Sequence, residues 1–269
     1  MGFGVGGSGK VALVSAVPVT SAVGGMQMNS GALHRFLAEA VWYPTALLPS
    51  AALAQGPEGL EVTASDVEVE SGGQAFASYL AAPTGGGPYP GIVLIHSFNG
   101  LEEGYRTMTD QFAARGFVGL AGGWQTFEQS PSDDTVEQLL RDSIAFLSAR
   151  EDVDPARLGL TGFCAGGRYT MLFLPQIDEF GAGVAWYGFP NGGETPPASV
   201  LDQLDAPMLM IHGTADQPSP IGELYDYAQA LTDAGKYFEL KVYYGEPHGF
   251  MLQEGQLRTD EVAQDALEQ

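Results

Sequence analysis

Residues 158–167 read Leu-Gly-Leu-Thr-Gly-Phe-Cys-Ala-Gly-Gly. Leu158–Thr161 predicts a short strand and Ala165–Leu174 a helix, so Cys164 falls on the turn between them. Gly162 stands two residues before it and Gly166 two after, a glycine-x-nucleophile-x-glycine pattern with cysteine where serine is usual. A sharp strand-to-helix turn lifts the nucleophile above a sheet in a strained conformation, and the flanking glycines relieve the crowding. The helix N-terminus then lies beneath the sulfur, where its dipole favours a thiolate. A glycine-rich turn around a buried, inert cysteine would read the same locally, so the rest of the chain must decide.

Working outward, strand and helix patterns alternate from about Gly56 onward. Gln74–Ala82 alternates as an early strand and ends at Pro83. Gly91–His96 (GIVLIH) is a continuous apolar run, as expected of a strand buried on both faces. A helix is predicted over Glu103–Arg115 and a strand over Phe117–Ala121. The next helix is expected to start near Asp134 and Glu137, with Val136, Leu139, Leu140, Ile144 and Leu147 at helical spacing. Gly183–Tyr187, Pro207–His212 and Phe238–Tyr244 read as strands, and Ile221–Ala234 and Glu261–Gln269 as helices. Such alternation predicts a mostly parallel sheet with helices on both faces. Ligands of these sheets bind at the carboxyl ends of the strands, so functional residues should fall just after strands.

Two further residues meet that condition. Asp216, in His212-Gly213-Thr214-Ala215-Asp216, follows the strand Pro207–His212. His248, in Glu246-Pro247-His248-Gly249-Phe250, follows the strand Phe238–Tyr244. The chain order Cys164, Asp216, His248 is nucleophile, acid, base, the order in which an elbow nucleophile finds its partners. A turn-forming aspartate or a surface histidine would explain either residue alone, but not the joint coincidence. His96 and His212 also end strands and are read as structural or pocket-lining.

Composition narrows the remaining classes. Of 269 residues, 33 are acidic and 11 basic, a formal net charge of −22, and only Lys10, Lys236 and Lys241 are lysines. A surface this negative repels nucleic acid and anionic lipid, and scattered acid with little lysine suggests adaptation to high salt. No run approaches the roughly 20 apolar residues of a membrane span. Cys164 is the single cysteine, which rules out an intrachain disulfide and multi-cysteine metal sites. The four histidines (His34, His96, His212, His248) lack paired metal-ligand spacing, and the elbow lacks the G-x-G-x-x-G spacing of nucleotide cofactor sites. No metal and no cofactor are expected.

Residues 1–55 do not join the pattern. Ser30 could cap a helix bearing Leu33, Phe36, Leu37, Ala40 and Val41, ending near Pro44. The glycine-rich start with its run VALVSAVPV, and Ala52-Leu53-Ala54 before Gln55, carry weak processing signals. A cytoplasmic protein is the expectation, with secretion left open.

The stretches PGIVLIHSFNGL (90–101), GFVGLAGG (116–123), DPARLGLTGFCAGGRYTMLF (154–173), PMLMIHGTADQPSP (207–220) and YYGEPHGF (243–250) resemble those of the dienelactone hydrolase family. The resemblance runs from about residue 60 to the C-terminus, and the cysteine elbow is its most specific element. It implies an α/β-hydrolase fold with a mostly parallel sheet of about eight strands over 56–269, and an appended extension over 1–55. Within that extension, RFLAEAVWYPTALLP (35–49) is similar to part of an uncharacterised family unrelated to hydrolases.

The resemblance further implies cleavage of a small-molecule ester or lactone by a monomer or homodimer. Cys164 would be the nucleophile, His248 general base and then acid, and Asp216 its orienting partner. Backbone N–H groups of Ala165 and Phe98 would form the oxyanion hole, and Ser97, Trp124, Phe127 and Phe250 would line the pocket. Where the family carries a glutamate facing the resting cysteine, this chain has Ser97. Where dienelactone-cleaving members hold the substrate carboxylate with two arginines, the matching positions are Phe127 and Leu252. Thioesters share the acyl-enzyme chemistry, so a thioesterase or another Cys-His acyl hydrolase stays open. A non-catalytic binding relative is disfavoured by the intact set of three residues.

Overall fold

The computed structural model describes residues 59–269. The expectations for the N-terminal extension, from the Ser30-capped helix to the Ala52-Leu53-Ala54 site, lie outside the described residues.

An antiparallel hairpin opens the described chain, β1 (Val62–Ser71) with β2 (Gln74–Pro83). Gly72 and Gly73 form its two-residue turn, both at positive φ, the conformation that hairpin turns of this length demand. There follow β3 (Tyr89–Ile95), α1 (Glu103–Ala114), β4 (Val118–Gly122), α2 (Asp133–Ser148), β5 (Val153–Phe163) and α3 (Ala165–Phe173). The second half comprises β6 (Phe180–Trp186), β7 (Met208–Gly213), α4 (Ile221–Asp233), β8 (Phe238–Tyr243), a short β9–β10 hairpin (Leu252–Gln253, Gln256–Leu257) and α5 (Glu261–Leu267).

The eight-stranded sheet runs β1-β2-β4-β3-β5-β6-β7-β8. β2 pairs antiparallel with β1 and β4, and every pair from β4 to β8 is parallel. From β3 the chain moves first to one side, to β4, then to the other, to β5. The carboxyl ends of β3 and β5 therefore flank a switch point, where crossover loops diverge and leave a crevice. Both faces of the sheet are covered. Along β3, Val93 and Ile95 pack into one apolar cluster and Leu94 into the other, as period-two alternation requires.

Several boundaries differ from the sequence reading. β1 was not foreseen, although Val67 and Val69 alternate with acids in it; it is an edge strand with most side chains exposed. β5 begins at Val153, well before Leu158, because Tyr89 and Pro90 of β3 extend the pairing past a register shift. The cap of α2 is Ser132, whose side chain accepts from the Thr135 N–H, and not Asp134. Asp133 in the same first turn is drawn into a buried ion pair with Arg168. Helix α5 closes at Leu267, two residues before the expected end. Among the described residues no helix is long and apolar enough to cross a membrane.

Candidate active site

β5 ends at Phe163 and α3 begins at Ala165, leaving Cys164 between them at φ 58°, ψ −112°. A non-glycine residue held there costs on the order of 1–3 kcal/mol, so the surroundings must enforce it. They do: the Cys164 N–H donates to Trp186 O at 3.0 Å, and its carbonyl accepts from the Arg168 N–H at 3.0 Å. A Cβ at Gly162 would run into the Gly166 carbonyl, and one at Gly166 into the Ile95 carbonyl. The flanking glycines thus allow strand, turn and neighbouring strand to close up beneath a half-buried sulfur.

Asp216 follows β7 with its side chain sealed from solvent. Its Oδ1 accepts from the Ser219 N–H at 2.8 Å, and its Oδ2 lies 2.7 Å from His248 Nδ1. A carboxylate opposite Nδ1 assigns the proton to that nitrogen, which leaves Nε2 as the free face of the imidazole. Nε2 is buried without a hydrogen bond of good geometry, and the Cys164 sulfur is the group beside it. Burial disfavours the imidazolium, but the bond to Asp216 and the adjacent Cys164 sulfur outweigh it and raise the His248 pKa from 6.5 to about 9. Tyr187 and Phe189 pack on the ring, each with centroids 5.2 Å away.

The structure thus brings Cys164, Asp216 and His248 together from the ends of three strands. It also places a second histidine on Asp216. His212 Nε2 lies 2.8 Å from Ser219 O and 3.4 Å from Asp216 Oδ2, fully buried. Burial lowers its pKa and keeps it neutral, so it braces the acid's loop without competing for its charge. His96 is likewise buried, its pKa pushed down to about 4 by desolvation, with Nδ1 2.7 Å from Ser97 O and its ring stacked on Trp124 at 5.3 Å.

The expected pocket residues divide. Ser97 is buried, and its hydroxyl accepts from the Asn99 N–H at 3.2 Å and reaches Glu102 Oε2 at 3.5 Å. Phe98 and Phe127 are 45% and 51% exposed, whereas Trp124 and Phe250 are each 2% exposed and belong to the core. Trp124 Nε1 donates to His96 O at 3.1 Å, and Phe250 packs on Tyr187 and Tyr243, so both rings support the site from below. The Phe98 carbonyl accepts from the side-chain amides of Gln125 at 3.1 Å and Gln129 at 2.9 Å, fixing the peptides of that loop. Ala165 opens α3, where its N–H has no preceding intrahelical carbonyl.

Sequence reasoning missed Ser219, the two glutamines and Tyr187, whose φ is +39° and whose ring packs on His248. Asp216 with Ser219 three residues on is a local turn signal that could have been read. No spacing marks the others. Arg168 forms a two-bond fork with Asp133, at 2.8 and 2.7 Å. Burial alone would raise the Asp133 carboxyl, and the bonds from Arg168 and Thr195 hold it below its usual range. Removing one member of such a pair costs about 3–5 kcal/mol, since the other is left charged and dry.

A switch-point crevice, a strained elbow and a buried acid–imidazole pair on a sheet of this order define an α/β-hydrolase. The sequence profile of the dienelactone hydrolase family matches residues 76–269, and the chain belongs to that family. Residues 4–54 match a family of unknown function (DUF6920). A protein named "Putative carboxymethylenebutenolidase" from Methylorubrum extorquens is 29% identical over 237 residues, covering 77% of this chain and 81% of its own. One of the same name from Escherichia coli K12 is 28% identical over 229 residues, covering 77% and 84%. The crystal structure of a "Putative Dienelactone Hydrolase" from Klebsiella pneumoniae superposes with a TM-score of 0.70 at 26% identity, covering 76% of this chain and 95% of that one.

Proposed function

We propose that this hydrolase cleaves a neutral carboxylic ester or lactone through Cys164, His248 and Asp216. Cys164 passes its thiol proton to His248 Nε2, and the sulfur attacks the carbonyl carbon as the C=O electrons move onto oxygen. The N–H groups of Ala165 and Phe98 donate to that oxyanion. On collapse the C–O bond breaks, the alkoxide takes a proton from His248, and the acyl group stays on sulfur. Water then attacks, losing a proton to His248 Nε2, and the acid leaves as the thiolate departs. Asp216 keeps the proton on Nδ1 and stabilises the imidazolium. The observation that carries this reading is the 2.7 Å bond from His248 Nδ1 to Asp216, on an imidazole that also adjoins the Cys164 sulfur.

Support for a neutral substrate comes from the arginines. Phe127 and Leu252 stand at the clamp positions, and Phe127 packs edge-on to Phe76 at 5.1 Å. Arg106, Arg168 and Arg258 around the site are each paired with carboxylates. The same proposal takes 56–269 as the hydrolase domain and 1–55 as an appended piece. It places the enzyme in the cytoplasm, where a thiol nucleophile stays reduced, and reads the charge of −22 as adaptation to high salt. Alkylation with iodoacetamide beside an assay on a small activated ester tests the chemistry. Turnover should fall in step with labelling of Cys164, and full turnover in labelled protein would refute it.

A further inference from the structure

We propose that Arg168 is a positioning residue for His248, acting through the loop Gly188–Thr195. The inference rests on the triad reading above and adds a residue to it. Arg168 sits one helical turn after Cys164 on α3, with its side chain 8% exposed. Besides the fork to Asp133, its Nε donates to Gly192 O at 2.7 Å and its NH2 group to Thr195 O at 2.8 Å. The Thr195 N–H returns a bond to Asp133 Oδ2 at 2.9 Å. Four donations from one guanidinium therefore tie the elbow helix, the first turn of α2 and two carbonyls of this loop into one unit.

The other end of the loop touches the acid and the base. Gly188 O accepts from the Ser219 hydroxyl at 2.7 Å, and the Ser219 N–H donates to Asp216. Phe189 lies against the His248 ring and forms one wall of it. Arg168 thus fixes the far anchor of a segment whose near end covers the imidazole and braces its carboxylate. A lysine could neutralise Asp133, but a single ammonium cannot hold Asp133, Gly192 and Thr195 in the same planar geometry.

The test is a kinetic comparison of Arg168→Lys, Phe189→Ala and the double variant on a small activated ester. It is run well below the melting temperature of each protein. Loss of the anchor should lower kcat about tenfold or more in Arg168→Lys while KM moves less than threefold, because orientation is lost and uniform binding is not. Phe189→Ala, which leaves the ion pair intact, should reproduce most of that loss, and the double variant should be little worse than either single. Should Arg168→Lys fail to fold, the isosteric Asp133→Asn takes its place in the same cycle.

A purely structural role would lower the melting temperature and leave kcat of the folded protein unchanged. That result, or strictly additive losses in the double variant, overturns the proposal. Continued turnover by wild-type protein with Cys164 alkylated would instead refute the triad reading, so the two failures are distinguishable.

Discussion

His248 Nδ1 and Asp216 Oδ2 lie 2.7 Å apart, although 32 residues separate them in the chain. Asp216 is fully buried and His248 largely so, which strengthens the pair and fixes which imidazole nitrogen carries the proton. Asn in place of Asp216 could present its amide NH2 to Nδ1 and move the proton to Nε2, where it cannot act as a base. Asp216→Asn should therefore lower kcat by about 10³–10⁴-fold with the fold intact, leaving the residual rate that an oxyanion hole supplies. Steady-state kinetics with circular dichroism checks it, and near-wild-type kcat would remove Asp216 from its orienting role.

The histidines predict opposite pH effects on stability. His248 has a folded pKa near 9 against 6.5 unfolded. Its contribution is full below pH 6.5 and is lost as pH rises through about 9. His96 has a folded pKa near 4, so between about pH 4 and 6.5 the unfolded chain binds the extra proton and stability rises with pH. Denaturant unfolding across pH should show a maximum near 6.5, and His248→Gln should flatten only the alkaline side. A loss above pH 7 equal in wild type and variant would assign that slope elsewhere.

Charge predicts a response to salt. A chain of net charge −22 repels itself in dilute buffer. At 1 M salt the screening length shrinks to about 3 Å, so the melting temperature should rise substantially on going from dilute buffer to that concentration. A flat or falling curve would reject the high-salt reading.

Substrate choice follows from the paired arginines. A carboxylate-bearing lactone would bury its charge against Phe127 and Leu252 with no cation free in the Arg106, Arg168 or Arg258 pairs. Short neutral esters should have higher kcat/KM than dienelactone by about tenfold, or roughly 1.4 kcal/mol of transition-state discrimination. The comparison is made at equal, high ionic strength to remove long-range repulsion. Faster cleavage of dienelactone would mean that one of these arginines leaves its partner to bind substrate.

The elbow, the acid and the histidine were legible because each is local. Glycine spacing, a strand end and chain order are all written in short stretches, and the buried run Gly91–His96 announced the sheet. What escaped depends on contacts between distant segments. β1 reads as polar because an edge strand leaves most of its side chains in water, and only Val69 and Ser71 are buried. Ser132 won the cap of α2 from Asp134 because Asp133 turns inward to Arg168, 35 residues away, a pairing with no local signature. Trp124 and Phe250 look like pocket aromatics by position after strands, yet their rings fill the core beneath the site. Gln125 and Gln129 reveal their part only when the Phe98 carbonyl is seen between them.

The central claim is that an acyl group passes through Cys164, and intact-protein mass spectrometry during turnover of an activated ester measures it directly. Rapid acid quenching should trap a species heavier than the free protein by the acyl group, and peptide mapping should place that mass on Cys164 alone. Cys164→Ala should show neither the adduct nor turnover. Hydrolysis that proceeds in Cys164→Ala, or an acyl mass on any other residue, would contradict the account.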